Sequence, residues 1–317
     1  MVTPAQISLP PLLWEQAVRT ALLEDLGNGG DLTSQAVVPP DRQVTAAFTA
    51  REDGVVCGLP AAALTFRLLE DPALGPVTFE AHVHEGAPVR KGCVLATVRG
   101  PAQTVLAGER TALNVLTHLS GIATATAKLV REVEGAGPGG KTPAVCATRK
   151  TLPGLKALQK YAVRLGGGGS HRYRLDDAIL IKDNHLALAG GVEKALQAAG
   201  DFARTSHLTK IELEVDTLDQ LSEALSFAAR QQLEGARYRG ADVFLLDNMD
   251  LQTLREAVAL IARFAPHALA EASGGITATN VRAVAATGVD VISLGALTHS
   301  VRALDIGLDI NPESGGH

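Results

Sequence analysis

Past residue 140 the chain is punctuated by short apolar runs at 144–147, 178–181, 211–215, 243–246, 269–272 and 291–294, with helical patterns between them. Near-continuous apolar runs suit strands covered on both faces, and their alternation with helices predicts a parallel sheet wrapped by helices. That rhythm narrows this half to an α/β barrel or a doubly wound sheet. No GxGxxG follows a first strand, which favours the barrel. Six runs fall short of the eight strands of a closed barrel, so the barrel is expected to be incomplete or to hide strands of weak pattern.

The first half reads differently. Residues 1–30 form an amphipathic pattern around Leu12, Ala17 and Leu22, stopped by the glycines at 27, 29 and 30, with Asp31 and Thr33 placed to cap or turn the next segment. Short β-like runs at 44–48, 55–59, 77–83 and 94–98 then alternate with Gly and Pro, which predicts a small α+β domain. A helical stretch over 103–133 (Val105, Leu106, Ala112, Leu113, Leu116, Leu119) is closed by Gly-Pro-Gly-Gly at 137–140 and is expected to bridge two domains. A length of 317 residues with 46% hydrophobic and 20% charged side chains agrees with two ordinary soluble domains.

No apolar run approaches the roughly 18 residues a membrane span needs, and no basic flank precedes an apolar stretch at the N-terminus. Cys57, Cys93 and Cys146 are odd in number and lack a CxxC pair, so neither a disulfide framework nor a zinc site is indicated and a cytoplasmic setting is expected. With 3% aromatic residues and a net charge of −5, nucleic-acid binding is not expected. The charge is uneven, however. Residues 141–185 hold nine Lys or Arg against three Asp, a local balance of +6, which leaves −11 for the remainder.

Polar residues or glycines sit at or near the carboxyl end of each run: Arg149 and Lys150, Lys182, Glu214, Asp247, Ser273 and Gly295. In parallel barrels this rim carries the chemistry, because the loops converge on one mouth. Arg149, Lys150, Arg172 and Lys182, with His171, suit a multiply charged anion, since guanidinium grips carboxylate with two bonds and ammonium acts as a point charge. The plainer reading of each is a solvated surface charge, and that reading is kept for Lys156, Lys160, Arg164 and Arg174. Glu214 and Asp247 end consecutive strands and could hold a Mg²⁺ serving a phosphorylated substrate, or else balance the nearby cations; Glu212 and Asp216 are weaker candidates. Ser273, Gly274 and Gly275 lie before a helix expected near Thr277. With Gly295 and Ala296 they offer backbone N–H groups for a phosphate, the alternative being turns that need glycine. The four glycines at 166–169 read as a flexible lid or a helix stop. His171 and His185 lack a third His or Cys at ligand spacing, so hydrogen-bonding roles are expected for both, and Cys146 reads as a buried small hydrophobe.

Several strings occur in an order that resembles the quinolinate phosphoribosyltransferase family: ERTALN at 109–114, LSGIATATA at 119–127, TRKTLPGLK at 148–156, HR at 171–172, LIKDNH at 180–185, EVD at 214–216, LLDN at 245–248, SGGI at 273–276 and GALTHS at 295–300. The resemblance runs from EDLGNGGDLTS at 24–34 through DIGLDI at 305–310. It implies an N-terminal α+β sandwich domain (1–115, joined by the tail 300–317) and an incomplete α/β barrel (116–299). It also implies a homodimer, or a higher oligomer, in which one subunit's N-terminal domain covers its partner's barrel mouth. Thr148, Arg149, Lys150, His171, Arg172 and Lys182 would then bind the two carboxylates of quinolinate, with Arg110 reaching in from the neighbouring chain. Glu214 and Asp247 would meet the Mg²⁺ and ribose of phosphoribosyl pyrophosphate, and Ser273, Gly274, Gly275, Gly295 and Ala296 its 5′-phosphate. Lys150, Lys182, Glu214 and Asp247 would carry the catalysis. The sequence departs from the pattern at Arg174 and Asp176, where small residues are expected, in an extra glycine of GNGGD, and in a longer, more charged 228–242 segment.

Other readings make distinct demands. A strand-end lysine in a barrel can be a Schiff-base nucleophile, so Lys182 could serve an aldolase, though that leaves Ser273, the carboxylate pair and Arg110 without a joint purpose. A related phosphoribosyltransferase with another acceptor fits less well, because two arginines argue for a diacid. HEGAPVRKGCVLATV at 84–98 has the turn-rich geometry of a biotinyl or lipoyl carrier, but the methionine that commonly flags the modified lysine is missing: the chain's only methionines are Met1 and Met249.

Overall fold

The computed structural model describes residues 7–206, 209–233, 235 and 240–312. Residues 234 and 236–239 of the charged 228–242 segment lie outside that set. The chain divides into two compact units, one of residues 1–127, 151–168 and 296–317, the other of 128–150 and 169–295.

The first unit opens with α1 (Pro11–Leu26), which starts on a proline whose missing N–H would have had no helical partner. Its buried residues are Trp14, Val18 and Leu22, a stripe at i, i+4 and i+8. Leu12, expected on that stripe, is 74% exposed. The spacing of Trp14 fits the helical period and that of Leu12 does not. Gly27, with φ 53°, ends the helix. Asp31 caps α2 (Leu32–Val37) by accepting the Ser34 N–H at 3.1 Å.

Four strands form an antiparallel sheet in the order β13 (Ile306–Pro312), β1 (Gln43–Ala50), β5 (Val94–Pro101), β3 (Thr78–Ala81). Val44, Ala46 and Phe48 alternate along β1 on the buried face, as the period of a strand requires. The tail thus supplies an edge strand, running from Ile306 opposite Ala50 to Pro312 opposite Val44. Phe48, Phe66 and Phe79 meet with ring centroids 5.9 to 6.1 Å apart in the core beneath.

The expected run at 55–59 is only partly a strand. Gly54–Val55 (β2) pairs with Pro88–Val89 (β4), and Gly58, at φ 111°, turns the chain into α3 (Leu59–Leu68). The Glu85 carboxylate, buried nearby, accepts the N–H groups of Gly58 and Leu59 at 2.9 and 2.8 Å and so satisfies the new helix end. Burial, the largest influence, holds its pKa above the ordinary carboxylate value. A distant carboxylate acting as cap leaves no local signal, which is why 55–59 reads as one apolar run.

The helix α4 (Ala102–Val133) spans 32 residues, about 48 Å. It continues unbroken through 115–116 and supplies residues to both units. In the first unit, α5 (Lys156–Leu165) sets Tyr161 edge-on against Trp14, with centroids 5.2 Å apart. Lys160 of the same helix is fully buried, contrary to the surface role expected of it. The sequence misleads because Leu158, Tyr161, Ala162 and Leu165 around it are buried too, so the whole segment is sunk.

The second unit is a seven-stranded parallel sheet, β6 (Ala144–Ala147), β7 (Gly169–Ser170), β8 (Ile179–Ile181), β9 (Ile211–Val215), β10 (Val243–Asp247), β11 (Leu269–Ser273) and β12 (Val291–Leu294). The spatial order β7-β6-β12-β11-β10-β9-β8 is the chain order wrapped into a ring, with first strand paired to last and a single seam between β7 and β8. This is the incomplete barrel the apolar runs implied, with one strand more than the six expected. The extra strand hides in the glycine run: Gly166 stops α5, and Gly169 faces Cys146 so closely that an added Cβ would lie 2.7 Å from its Sγ. A two-residue strand of glycine and serine displays no hydrophobic pattern. The run is therefore a helix stop followed by a strand rather than a lid. Helices α6 (Asp183–Ala189), α7 (Val192–Thr205), α8 (Leu218–Leu233), α9 (Leu251–Phe264) and α10 (Val281–Ala285) connect the later strands. Among the described residues no helix is long and apolar enough to cross a membrane.

Gly121 shows how closely α4 is approached within the first unit. A Cβ added there would lie 2.3 Å from the Arg302 carbonyl oxygen. Alanine usually favours a helix interior by about 1 kcal/mol over glycine. Here the order reverses: Gly121→Ala is predicted to destabilise by roughly 1–3 kcal/mol, as overpacking does, measured by urea unfolding.

Candidate active site

In a parallel strand alternate side chains face the barrel interior. On β9 these are Glu212 and Glu214, on β10 Leu245 and Asp247, on β11 Glu271 and Ser273, and on β12 Ser293. Lys182 follows β8 immediately and begins α6. Its ammonium pairs with the Glu214 carboxylate, which is 9% exposed. Its backbone N–H donates to His185 Nδ1 at 2.9 Å, so the first turn of α6 fixes where the lysine leaves the strand. Asp247 lies two residues past Leu245, the partner of Glu214 across the ladder, and so about 7 Å nearer the mouth.

At the opposite side of the seam, the His171 N–H donates to the Ala147 carbonyl at 3.1 Å and ties the end of β7 to β6. Its ring reaches inward. Nε2 lies 2.8 Å from Glu212 and 3.8 Å from Glu271, while Nδ1 accepts the Arg172 N–H at 2.9 Å. Arg172 Nη1 donates to the Ala178 carbonyl at 2.8 Å, spanning the loop between β7 and β8. Asp177 braces the same loop by accepting the N–H groups of Tyr173 and Arg174 at 2.6 and 3.0 Å. Arg174, unexpected in this loop, points to solvent. Burial and then the positive field of Arg149 lower the Arg172 pKa from its ordinary value. Two guanidinium groups close enough to repel each other are stabilised by an anion set among them. The Thr148 hydroxyl accepts the Lys150 N–H at 3.0 Å and shapes the turn that carries Arg149 and Lys150.

Glu271 was missed from sequence, although an acid inside the apolar run 269–272 is a signal in itself. It is 3% exposed, and burial first, then the charge of Glu212, raises its pKa from 4.5 to about 7, with His171 and Lys182 opposing. Among the described residues, Glu212, His171 and Glu271 are the one set of three or more His, Cys, Asp or Glu whose ligand atoms all lie within 4.8 Å of one another. The partners that sequence spacing denied to His171 are thus carboxylates from β9 and β11, distant in sequence and adjacent across the sheet.

The glycine corner is built around Asn248, which adopts φ 52° at the end of β10. Its N–H donates to the Ser273 carbonyl at 3.0 Å and its amide to the Asp247 carboxylate at 3.0 Å. Gly274, at φ 87°, lies beneath it, and a Cβ there would come within 2.3 Å of Asn248 Oδ1. Only glycine fits, for both reasons. A cavity of about 430 Å³, lined by Asn248, Asp250, Ser273, Gly274, Gly275 and Asn280 among others, adjoins the corner. The helix expected near Thr277 begins instead at Val281, because the Asn280 side chain accepts the Thr277 N–H at 2.8 Å and holds 277–280 as a turn. Any phosphate cradle here consists of glycine-loop amides, without a helix end. Gly295 closes the second unit's chain; Ala296 opens α11 (Ala296–His299), and exposed Arg110 rides on α4, both in the first unit.

Comparison with known sequences decides the family. The profile of the quinolinate phosphoribosyl transferase C-terminal domain matches residues 122–309, and that of the N-terminal domain matches 31–120. The chain belongs to the quinolinate phosphoribosyltransferase family. The nicotinate-nucleotide pyrophosphorylase [carboxylating] of Mycobacterium leprae is 42% identical over 295 residues, covering 92% of this chain and 95% of that one. Among solved structures, a NadC deletion mutant superposes with a TM-score of 0.84 at 33% identity, over 97% of this chain and 99% of that one. The nicotinate-nucleotide pyrophosphorylase of Francisella tularensis gives 0.81 at 32%, over 96% and 98%. In this member of the family, Arg149, Lys150, Lys182 and Glu214, from the strings TRKTLPGLK, LIKDNH and EVD, share the second unit.

The Glu271 carboxyl takes up a proton more readily folded than unfolded. Its contribution to stability is complete below pH 4.5 and is lost as the pH rises through about 7. Glu271→Gln is predicted to flatten the fall in Tm across that window, read by thermal melts from pH 4.5 to pH 8; a fall of unchanged steepness would assign it to another group.

Proposed function

We propose that this chain catalyses the family reaction, transfer of phosphoribosyl from phosphoribosyl pyrophosphate to quinolinate with loss of CO₂, forming nicotinate mononucleotide and pyrophosphate in de novo NAD biosynthesis. The observation that supports this reading is the division of the barrel mouth: cations Arg149, Arg172 and Lys182 just past the ends of β6, β7 and β8, and carboxylates and a glycine corner at the ends of the next strands round. A planar diacid fits the first and a sugar phosphate the second. Lys150, His171 and Thr148 belong to the diacid end, and Ser273, Gly274, Gly275, Gly295 and Ala296 to the phosphate end.

Glu214 and Asp247 would hold Mg²⁺, since two hard oxygen donors on neighbouring strands suit an ion that completes its shell with water and substrate phosphates. When bound, that ion neutralises charge on the departing pyrophosphate. The protein's own groups position the reactants. The ring nitrogen of quinolinate forms a bond to ribose C1 as the bond from C1 to the pyrophosphate oxygen breaks, and fixed carboxylates stabilise the positive charge that develops on the sugar. The alkylated ring then accepts the electron pair left when the 2-carboxylate departs as CO₂, and a proton fills that carbon. No Schiff base is needed. Lys182 is paired with Glu214, whereas an aldolase requires a lysine available as a nucleophile.

The enzyme acts as a homodimer, or a higher assembly of dimers, in which Arg110 completes the partner's site, and it works in the cytoplasm. Its exposed place on α4 supports that role for Arg110. Incubation with quinolinate, phosphoribosyl pyrophosphate and Mg²⁺ should yield nicotinate mononucleotide, detected by mass spectrometry. No product, with or without added Mg²⁺, would overturn the reading. Arg149→Ala should raise the quinolinate KM at least about tenfold, the loss of one charge-assisted pair, and leave the melting transition intact. Mixing inactive Arg110→Ala and Lys182→Ala proteins should restore part of the activity, because hybrid dimers contain one intact site; absence of rescue would place Arg110 elsewhere.

A further inference from the structure

Two histidines stand in the same relation to two cations. His171 Nδ1 accepts the backbone N–H of Arg172 at 2.9 Å, and His185 Nδ1 accepts the backbone N–H of Lys182 at 2.9 Å. A ring nitrogen that accepts carries no proton, so in each ring the proton resides on Nε2. For His171 that proton is directed at the buried Glu212 carboxylate, 2.8 Å away, which locks the tautomer. Its ring thus meets protein at both nitrogens. His185 occupies the third position of α6 and reaches back to the amide preceding the helix, the place usually taken by Glu or Gln.

We propose that His171 and His185 are positioning residues: each accepts the main-chain amide proton of an anion-binding cation, Arg172 or Lys182, and so fixes the direction in which that cation leaves its strand. This rests on the quinolinate reading and refines it, since His171 then serves the diacid through Arg172 without touching it. The geometry explains why a histidine accompanies each cation at a different spacing, one residue before Arg172 and three after Lys182. At the first site the ring folds onto the next amide just past the end of β7; at the second it reaches back across one helical turn. In both, a side chain that could rotate freely about its backbone gains a fixed root, which is what a bidentate grip on a rigid diacid requires.

The test compares His171→Asn and His185→Asn with the corresponding alanine variants, because an asparagine oxygen can replace Nδ1 as acceptor and alanine cannot. Alanine should raise the quinolinate KM about tenfold with the phosphoribosyl pyrophosphate KM unchanged, and asparagine should recover most of that loss. If asparagine fails as badly as alanine, the rings contact substrate directly and the proposal falls; it falls equally if both substrates' KM values rise together or if neither moves. Nitrogen-15 spectra of the wild-type rings, assigned by loss of signal in the variants, should show Nε2–H for both residues; Nδ1–H would overturn the clamp. That measurement needs no turnover. A wild-type protein that makes no nicotinate mononucleotide yet shows both tautomers would sink the functional reading and leave the clamps standing.

Discussion

Inside the barrel, Glu212 and Glu271 are buried together, and a carboxylate withdrawn from water is tolerated only when a proton or a cation answers it. The structure answers with His171 against Glu212, a carboxyl at Glu271 whose pKa is raised to about 7, and Lys182 against Glu214. Much of the site depends on this balance. His171 is drawn inward, which brings Arg172 to the seam. Lys182 is drawn across to β9. Two basic side chains beside the seam, His171 and Lys182, are therefore held by acids of the neighbouring strands.

The seam between β7 and β8 is the second constraint. A closed ring would fill that position with paired backbone; here the loop from Arg172 to Ala178 crosses it, braced by Asp177 and by the Arg172 side chain on Ala178. The Arg172 guanidinium spans this loop to the Ala178 carbonyl, while the His171 ring turns inward to Glu212 and Glu271. On the far side of the mouth the constraint is steric: Asn248 with positive φ sits over Gly274, where an added Cβ would come within 2.3 Å of its Oδ1. One side of the mouth is defined by charge, the other by the absence of a side chain.

How much of this was legible depended on whether a residue's role is local. Strands 211–215 and 243–247 announced themselves because both faces are covered, and Glu214 and Asp247 were visible as polar residues at or near their carboxyl ends. Gly169–Ser170 was not, because Gly169 is pressed against Cys146 and neither residue is apolar enough to signal a strand. The cap that Glu85 gives α3 comes from 26 and 27 residues away, so the apolar letters at 55–59 concealed a helix start. Lys160 was misjudged on residue type, which a fully buried helix overrides.

The amino-acid order by itself determined the strand rhythm, the concentration of positive charge in 141–185, the glycines after β11 and the strings that identify the family, since each of these is a property of neighbouring residues. Tertiary structure alone decided that Glu212 and Glu271 face His171, that two imidazoles accept two backbone amides, and that the ring opens between β7 and β8. These depend on which strands lie side by side. A parallel sheet joins residues 40 to 100 positions apart, as from His171 to Glu212 and Glu271, and no local pattern encodes such a distance.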